Sequence, residues 1–492
     1  MSLILALDQG TSSSKALIFD LTGRLLGVAR QPFDMIFPAD GWVEQDPEVL
    51  WQTTLRAGRE ALVNAGLKGA DIAAIGLTNQ RETTLVWDRQ TGQCLHNAIV
   101  WQDRRTADRC DRMRDDGMAE TVATVTGLVI DPYFSATKLA WLLDNVDDLR
   151  VRAEAGTLAF GTVDTFLIWR LTKGAEHATD ATNASRTLLF DIGSQSWSNK
   201  LTNYFDVPES LLPDVRDSAA LYGVADPEWF GAPIPIFGVA GDQHAALVGQ
   251  GCSQPGMAKS TYGTGCFAMI NTGSKQLRSS QRLLTTVAYR LGGQTTYALE
   301  GSIFSAGVAV KWLRDQLGIV ANVAETEDAA RRTGGDSGGV YLVPAFTGLG
   351  APYWAPDSRG LISGLTLASS RDQLITATLQ SVAFQTQDLI AAMVADGAGL
   401  DRLRVDGGMV VNDWLCQFLA DVLDLPVDRP EITETTALGA AMLAAVGAGL
   451  VEDLDAAAQL WNLQREFQPD MQVPVREQLL SGWRQAVARA LL

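Results

Sequence analysis

The stretch Leu3-Ile4-Leu5-Ala6-Leu7-Asp8-Gln9-Gly10-Thr11-Ser12-Ser13-Ser14-Lys15-Ala16-Leu17-Ile18-Phe19-Asp20 sets two apolar runs around a small polar turn. Apolar runs of this length, bounded by Gly and Ser, predict buried strands joined by a short hairpin. The turn gathers a carboxylate, a glycine and four hydroxyl residues, followed by Lys15. Gly10 lets backbone approach a ligand, and successive turn amides can form an anion-binding nest. Asp8, at the end of the first strand, is placed to hold magnesium with its water shell. A polar hairpin tip without a ligand is the other reading that these residues allow.

The rest of the chain limits the possibilities. A length of 492 residues exceeds one ordinary core and predicts two large domains. Hydrophobic content of 47% with 20% charged residues fits a globular protein. A net charge of −18 argues against nucleic acid or an anionic membrane surface as partner. A phosphate site must then be built locally, from backbone amides and a few basic side chains. Cys94, Cys110, Cys252, Cys266 and Cys416 lack paired spacing, which predicts a reducing, cytoplasmic setting without disulfides or a zinc site. The apolar start is too short for a signal peptide, and no apolar run approaches the ~20 residues of a membrane span.

Taken in order, Asp46-Pro47-Glu48 starts a helix running to about residue 63. A buried strand over 72–77 leads into Thr78-Asn79-Gln80-Arg81-Glu82-Thr83, and a run over 98–101 ends at Gln102-Asp103-Arg104-Arg105. Polar clusters at strand ends are where α/β proteins place ligands, although Arg81 and Glu82 also read as a surface ion pair. Asp131-Pro132-Tyr133-Phe134 precedes a helix over 137–146, with Tyr133 either a core or rim residue or a ligand contact. Asp164 reads as a helix cap, and the stretch 179–187 as turn-forming polar residues. A strand over 233–240 hands over to a helix at Gly241-Asp242-Gln243, where Asp242 is a cap or a base facing a cleft. The glycine-rich segment 249–256 marks a boundary, and the opening pattern then recurs as strand, Gly263-Thr264-Gly265, strand. One such hairpin per half suggests two related domains facing one nucleotide. Helices are expected over 305–317, 371–395, 412–423, 436–445 and 477–491, with Asp406-Gly407-Gly408 ending a strand at the mouth of the third.

These motifs together resemble the FGGY carbohydrate-kinase family, and within it the glycerol kinases, over essentially the whole chain. The hairpin Asp8-Gln9-Gly10-Thr11, Gly263-Thr264-Gly265 and Asp406-Gly407-Gly408 carry the broader likeness. Asn79-Gln80-Arg81-Glu82-Thr83, Trp101-Gln102-Asp103-Arg104-Arg105-Thr106, Pro132-Tyr133-Phe134-Ser135, Asn183-Ala184-Ser185-Arg186-Thr187 and Gly241-Asp242-Gln243 carry the narrower one. The resemblance implies an α/β, two-domain actin-like ATPase (ribonuclease H-like) fold with the active site in the cleft. The domains would span residues 1–250, with the polyol site and phosphate hairpin, and 251–492, with the nucleotide site. It further implies ATP- and Mg2+-dependent phosphorylation of glycerol to sn-glycerol 3-phosphate. Asp242 would be the base. Arg81, Glu82, Tyr133, Asp242 and Gln243 would bind the hydroxyls, with Trp101 and Phe267 on the carbon stem. Thr11, Ser12, Ser13, Lys15, Thr264, Gly307, Lys311, Gly408 and Asn412 would hold ATP, and Asp8 the magnesium, through water. By analogy the protein would be a homo-oligomer, a dimer or tetramer.

Some positions depart from the family pattern. Lys15 stands where Arg is common, keeping the charge but not the fork. Lys311 stands where Gln is common, free to reach a phosphate or ribose or to be solvated. Gly231-Ala232-Pro233 replaces the Gly-x-Arg element of relatives inhibited by fructose 1,6-bisphosphate, so that inhibitor site is expected to be missing. Pro469-Asp470-Met471-Gln472-Val473 departs from the acidic motif that docks a sugar-transport regulator in enteric relatives, and that partner is not expected either. The rival readings are an FGGY kinase for another small polyol or ketose, and an actin- or chaperone-like ATPase.

Overall fold

The computed structural model describes residues 2–492. The opening stretch forms an antiparallel hairpin of β1 (Leu3–Gln9) and β2 (Ser13–Asp20), with Asp8 opposite Lys15 and Gln9 opposite Ser14. Every β1 side chain is buried, which explains its unbroken apolar run: a strand covered on both faces has no polar side to alternate with. β3 (Leu25–Pro32) extends the hairpin on one side. On the other, β4 (Ile72–Asn79) runs parallel to β1 and β6 (Ile234–Gly241) parallel to β4, edged by the short β5 (Val224–Ala225). The sheet order is β5-β6-β4-β1-β2-β3. The crossover into β4 is the helix Pro47–Ala65, whose first turn is capped where Asp46 accepts the Glu48 N–H.

The second half repeats this plan. β7 (Ala258–Tyr262) and β8 (Cys266–Gly273) form the hairpin, and β9 (Leu284–Leu291) and β10 (Gln294–Ile303) extend it. β11 (Leu403–Asp406) lies parallel to β7 and β12 (Val427–Pro430) parallel to β11, with β13 (Leu463–Phe467) at the edge. The order is β9-β10-β8-β7-β11-β12-β13. The likeness between hairpins therefore extends to the whole sheets, giving the two-domain actin-like, ribonuclease H-like fold. Equivalent points in the two registers differ in one respect. Asp8 on β1 faces Thr78 on β4, whereas Thr261 on β7 faces Asp406 on β11.

Two helices, Asp242–Gly249 and Thr435–Gly447, cross between the sheets. They approach backbone to backbone: a Cβ at Gly249 would lie 1.9 Å from the Thr435 carbonyl oxygen, and one at Gly439 1.8 Å from that of Ala245. The second helix also lies directly on β4 and β6, so one core cluster joins Ile4, Ala6 and Leu17 to Leu438, Ala441 and Met269. No helix among the described residues is long and apolar enough to cross a membrane. All five cysteines are free.

Two local expectations are corrected. Asp164 is not a cap: the helix is Val163–Leu171, with Thr162 at the cap position, and Asp164 is buried, accepting hydroxyls from Thr162 at 2.5 Å and Thr179 at 2.6 Å. The last helix begins at Val473 rather than 477 because Pro474 fits its first turn, where no N–H is needed.

Candidate active site

The tip of the first hairpin is held from several directions. The Gly10 N–H donates to the Ser13 carbonyl at 3.0 Å. Thr11 accepts from Gln45 Nε2 at its carbonyl (2.7 Å) and from Trp101 Nε1 at its hydroxyl (3.0 Å). Ser13 Oγ accepts from Arg30 Nε at 3.1 Å, and Ser12 is exposed at the tip. Lys15 Nζ reaches across to Glu434 Oε2 at 2.6 Å. Burial pushes the Asp8 carboxyl up to about 7, against the pull of Lys15 and with a further push from Glu434 and Asp242. Among the described residues no group of three His, Cys, Asp or Glu forms a ready-made metal cage.

Beside this turn, where β4 and β6 end, the polyol candidates converge. Arg81 Nε lies 3.2 Å from Asp242 Oδ1, Arg81 Nη2 lies 3.4 Å from the Tyr133 hydroxyl, and Arg81 Nε lies 3.9 Å from Glu82 Oε1. Arg81 and Glu82 are buried, so the surface ion-pair reading falls. The fork of Arg81 is already engaged: Nη1 and Nη2 donate to the two Glu300 oxygens at 2.7 and 2.8 Å. Asp242 is the first residue of its helix, with Gly241 at the cap position, and Oδ1 accepts the Gln243 N–H at 2.7 Å. Gln243 Oε1 accepts from Lys259 Nζ at 2.5 Å, which leaves the amide nitrogen as the free, donating end. Tyr133 meets the Trp101 ring edge-on at 5.5 Å, and Phe267 is half-buried on β8.

A third group lies across the cleft. The Thr264 carbonyl accepts from Ala306 and Val308, and Gly307 donates to the Gly263 carbonyl at 3.0 Å. A Cβ at Gly307 would come within 2.5 Å of that oxygen, so the turn and the helix Gly307–Asp315 fit only without one. Gly408 faces open space, and Lys311 is exposed on the same helix as Gly307. Asn412 caps the helix Asp413–Leu423 by accepting the Leu415 N–H at 2.9 Å, so its carbonyl oxygen is committed.

The models of the FGGY family of carbohydrate kinases match this chain twice, the N-terminal domain over residues 3–249 and the C-terminal domain over 258–448. The chain belongs to the FGGY family of carbohydrate kinases. It is 59% identical to the glycerol kinase of Methylobacterium nodulans over 99% of this chain and 97% of that one. It is 58% identical to glycerol kinase 1 of Pseudomonas aeruginosa, over 99% and 98%. Among solved structures, the Plasmodium falciparum glycerol kinase with ADP superposes with a TM-score of 0.93 at 34% identity, covering 100% of this chain and 99% of that one.

Several side chains beside the candidate site were not among the site residues expected from the sequence, although Arg186 lay within one of the motifs that carry the resemblance. Arg186 donates from Nε to Glu82 Oε1 at 2.6 Å and faces the Tyr133 and Phe134 rings. Burial alone would raise the Glu300 carboxyl, but Arg186 and Arg81 outweigh it and hold it well below the usual carboxylate range. For Glu82 the balance reverses: burial outweighs the same two guanidiniums and raises it. Burial, reinforced by Arg81, keeps His244 well below the usual imidazole range and therefore neutral. Lys138 donates to the carbonyls of Pro132 (2.9 Å), Tyr133 (2.6 Å) and Phe134 (2.9 Å), fixing the turn that presents Tyr133. Glu300 left only the weak signal of an acid directly after Ala298-Leu299.

Proposed function

We infer that this FGGY kinase transfers the γ-phosphoryl group of ATP to a terminal hydroxyl of glycerol, giving sn-glycerol 3-phosphate and ADP, with Asp242 as the base. One observation carries the assignment of the base. Of the three carboxylates around Arg81, the Asp242 side chain is 31% exposed to the cleft, while those of Glu82 and Glu300 are 1% exposed. Arg81 Nε and the Gln243 N–H both address Asp242 Oδ1, which leaves Oδ2 to take the proton. As the alcohol oxygen forms its bond to the γ-phosphorus, the bond to the β–γ bridging oxygen breaks and the hydroxyl proton passes to Asp242. Glycerol offers three hydroxyls on a small stem, matched by Arg81, Glu82, Tyr133 and Gln243, with Trp101 and Phe267 as apolar walls.

The phosphate chain lies between the two turns, with Thr11, Ser12, Ser13 and Lys15 on one side and Thr264 on the other. Gly307, Lys311, Gly408 and Asn412 line the nucleoside end. Asp8 suits magnesium: its buried carboxyl beside the phosphate turn, opposite Lys15, would hold the ion through the ion's water shell. When bound, that ion would neutralise charge on the transferring phosphate. We divide the chain into domains 1–250 and 251–492, which close on the substrates and exclude water. A homo-oligomer in the cytoplasm completes the reading, and the free cysteines agree with a reducing compartment.

The test is Asp242→Asn in the full chain, assayed with glycerol, erythritol and xylulose. The wild type is expected to prefer glycerol. The variant is expected to bind ATP but lose turnover by about 10²–10⁴-fold. Near-normal turnover would remove Asp242 from the base role, and a wild type preferring another acceptor would overturn the substrate.

A further inference from the structure

Arg81 and Glu82 are the polyol-recognising pair in the glycerol kinase reading, and the role of Glu300 rests on that reading. Both residues come after β4 in the N-terminal half, but the carboxylate that grips Arg81 comes from the other half. Glu300 stands on β10, buried, with its backbone spent on strand pairing to β8 and β9. It takes both terminal nitrogens of Arg81, and its Oε2 lies 3.2 Å from Arg186 Nη1, while Arg186 Nε holds Glu82. Arg81, Arg186, Glu82 and Glu300 thus form a buried quartet of two guanidiniums and two carboxyl groups.

Such a quartet is a poor means of stabilising a core, since well-packed apolar residues of the same volume serve as well or better. What it provides is geometry. A bidentate carboxylate fixes the plane of a guanidinium as well as its position. With Nη1 and Nη2 held by Glu300, the Arg81 plane is set so that Nε points to Asp242 and an Nη2 edge points to the Tyr133 hydroxyl. Gly241 makes room for this, because a Cβ there would lie 2.7 Å from Arg81 Cγ. We propose that Glu300 is a positioning residue of the polyol site, contributed by the nucleotide-binding half: it fixes the guanidinium of Arg81 directly and the carboxylate of Glu82 through Arg186, so that tight polyol binding requires the two halves to be docked. Glu300 itself does not touch the substrate.

The experiment compares wild type, Glu300→Gln and Glu300→Asp as full-length chains, measuring KM for glycerol, KM for ATP, kcat and thermal melting. Glu300→Gln keeps the shape but removes the charge, and is expected to raise the glycerol KM by about 10-fold or more while the ATP KM stays within about twofold. Glu300→Asp keeps the charge one methylene short of a full grip and is expected to fall between the two. If Glu300→Gln does not fold, the same split in Glu300→Asp decides. An unchanged glycerol KM, an equal rise in both KM values, or failure of both variants to fold would assign Glu300 to structure alone and overturn the proposal. A wild type whose ATP turnover does not depend on glycerol would overturn the substrate reading and this inference with it. Glycerol-dependent wild-type turnover with variants of unchanged KM would overturn the inference only.

Discussion

Glu82 holds a backbone that few residues of its kind adopt, with φ at +59°. The left-handed region costs an ordinary L-residue about 1–2 kcal/mol, and here it is retained by the bonds around it. Thr83 N–H closes on the Arg81 carbonyl at 2.7 Å, and the Glu82 carbonyl accepts hydroxyls from Thr84 and Ser135, both at 3.0 Å. The bend allows consecutive residues to bring a cation and an anion to one site. Nearby, Asn79 Nδ2 lies 3.5 Å from Asp164, a buried carboxyl pushed up to about 7 by burial despite its two hydroxyl donors. The folded value lies above the ordinary 3.8, so the native chain keeps a proton that the unfolded chain releases. The stability this proton confers is complete below about pH 4 and is lost as the pH rises through about 7. Asp164→Asn, neutral throughout, is expected to flatten the fall in melting temperature between pH 5 and 8 by about 2–5 °C. A slope identical to the wild type would place the titration elsewhere.

At the scale of elements, the turn before the helix Ser135–Asn145 shows how the placement of Tyr133 depends on a residue further along the chain. Lys138 is buried, and burial brings its amine down to about 8. Its three donors are spent on three successive carbonyls of the Tyr133 turn. Lys138→Met preserves the stem but strands those carbonyls, at a cost of roughly 2–4 kcal/mol. Denaturant unfolding should show that loss, and kinetics should show a glycerol KM raised more than the ATP KM. Equal effects on both substrates would mean that the turn does not present Tyr133 to the polyol. Elements like this also mark how far the sequence could be read. β1 was legible because burial on both faces leaves an uninterrupted apolar run, and Arg371–Ala395 because Ser370 and Gln373 form a capping box. Arg81, Glu82, Tyr133 and Asp242 stood out as polar residues beside apolar segments, but the pattern left a surface ion pair, a core or rim residue and a helix cap open, and the family resemblance was what named them as site candidates. Glu300 was not legible, and Arg186 entered only within the run 183–187, because the partners that give them meaning lie 219 and 104 residues away in Arg81 and Glu82. Pattern within a short window carries no information about such a partner.

For the whole molecule, the two halves meet through helices that touch with bare backbone. Gly249 and Gly439 leave no space for a methyl, and the obstructing atoms are carbonyl oxygens that cannot swing aside. Gly439→Ala should therefore spread the crossing, lower the melting temperature by several degrees and reduce kcat more than Asp164→Asn does. A variant with wild-type melting and kcat would show that the crossing yields without loss.

The registers of the duplicated sheets make the two halves unequal. Each half has one carboxylate where its first strand meets the parallel neighbour, on β1 as Asp8 in the first half and on β11 as Asp406 in the second. Asp406 is fastened by Gln250 at 2.7 Å and by Thr435 at 2.6 Å, and so ties its sheet to the crossing helix. Asp8 is buried opposite Lys15, beside the turn of its own hairpin. Two copies of one architecture have thus parted ways through a sideways move of a single acid: one copy uses it as a rivet to the crossing helix, the other keeps it beside the turn of its hairpin.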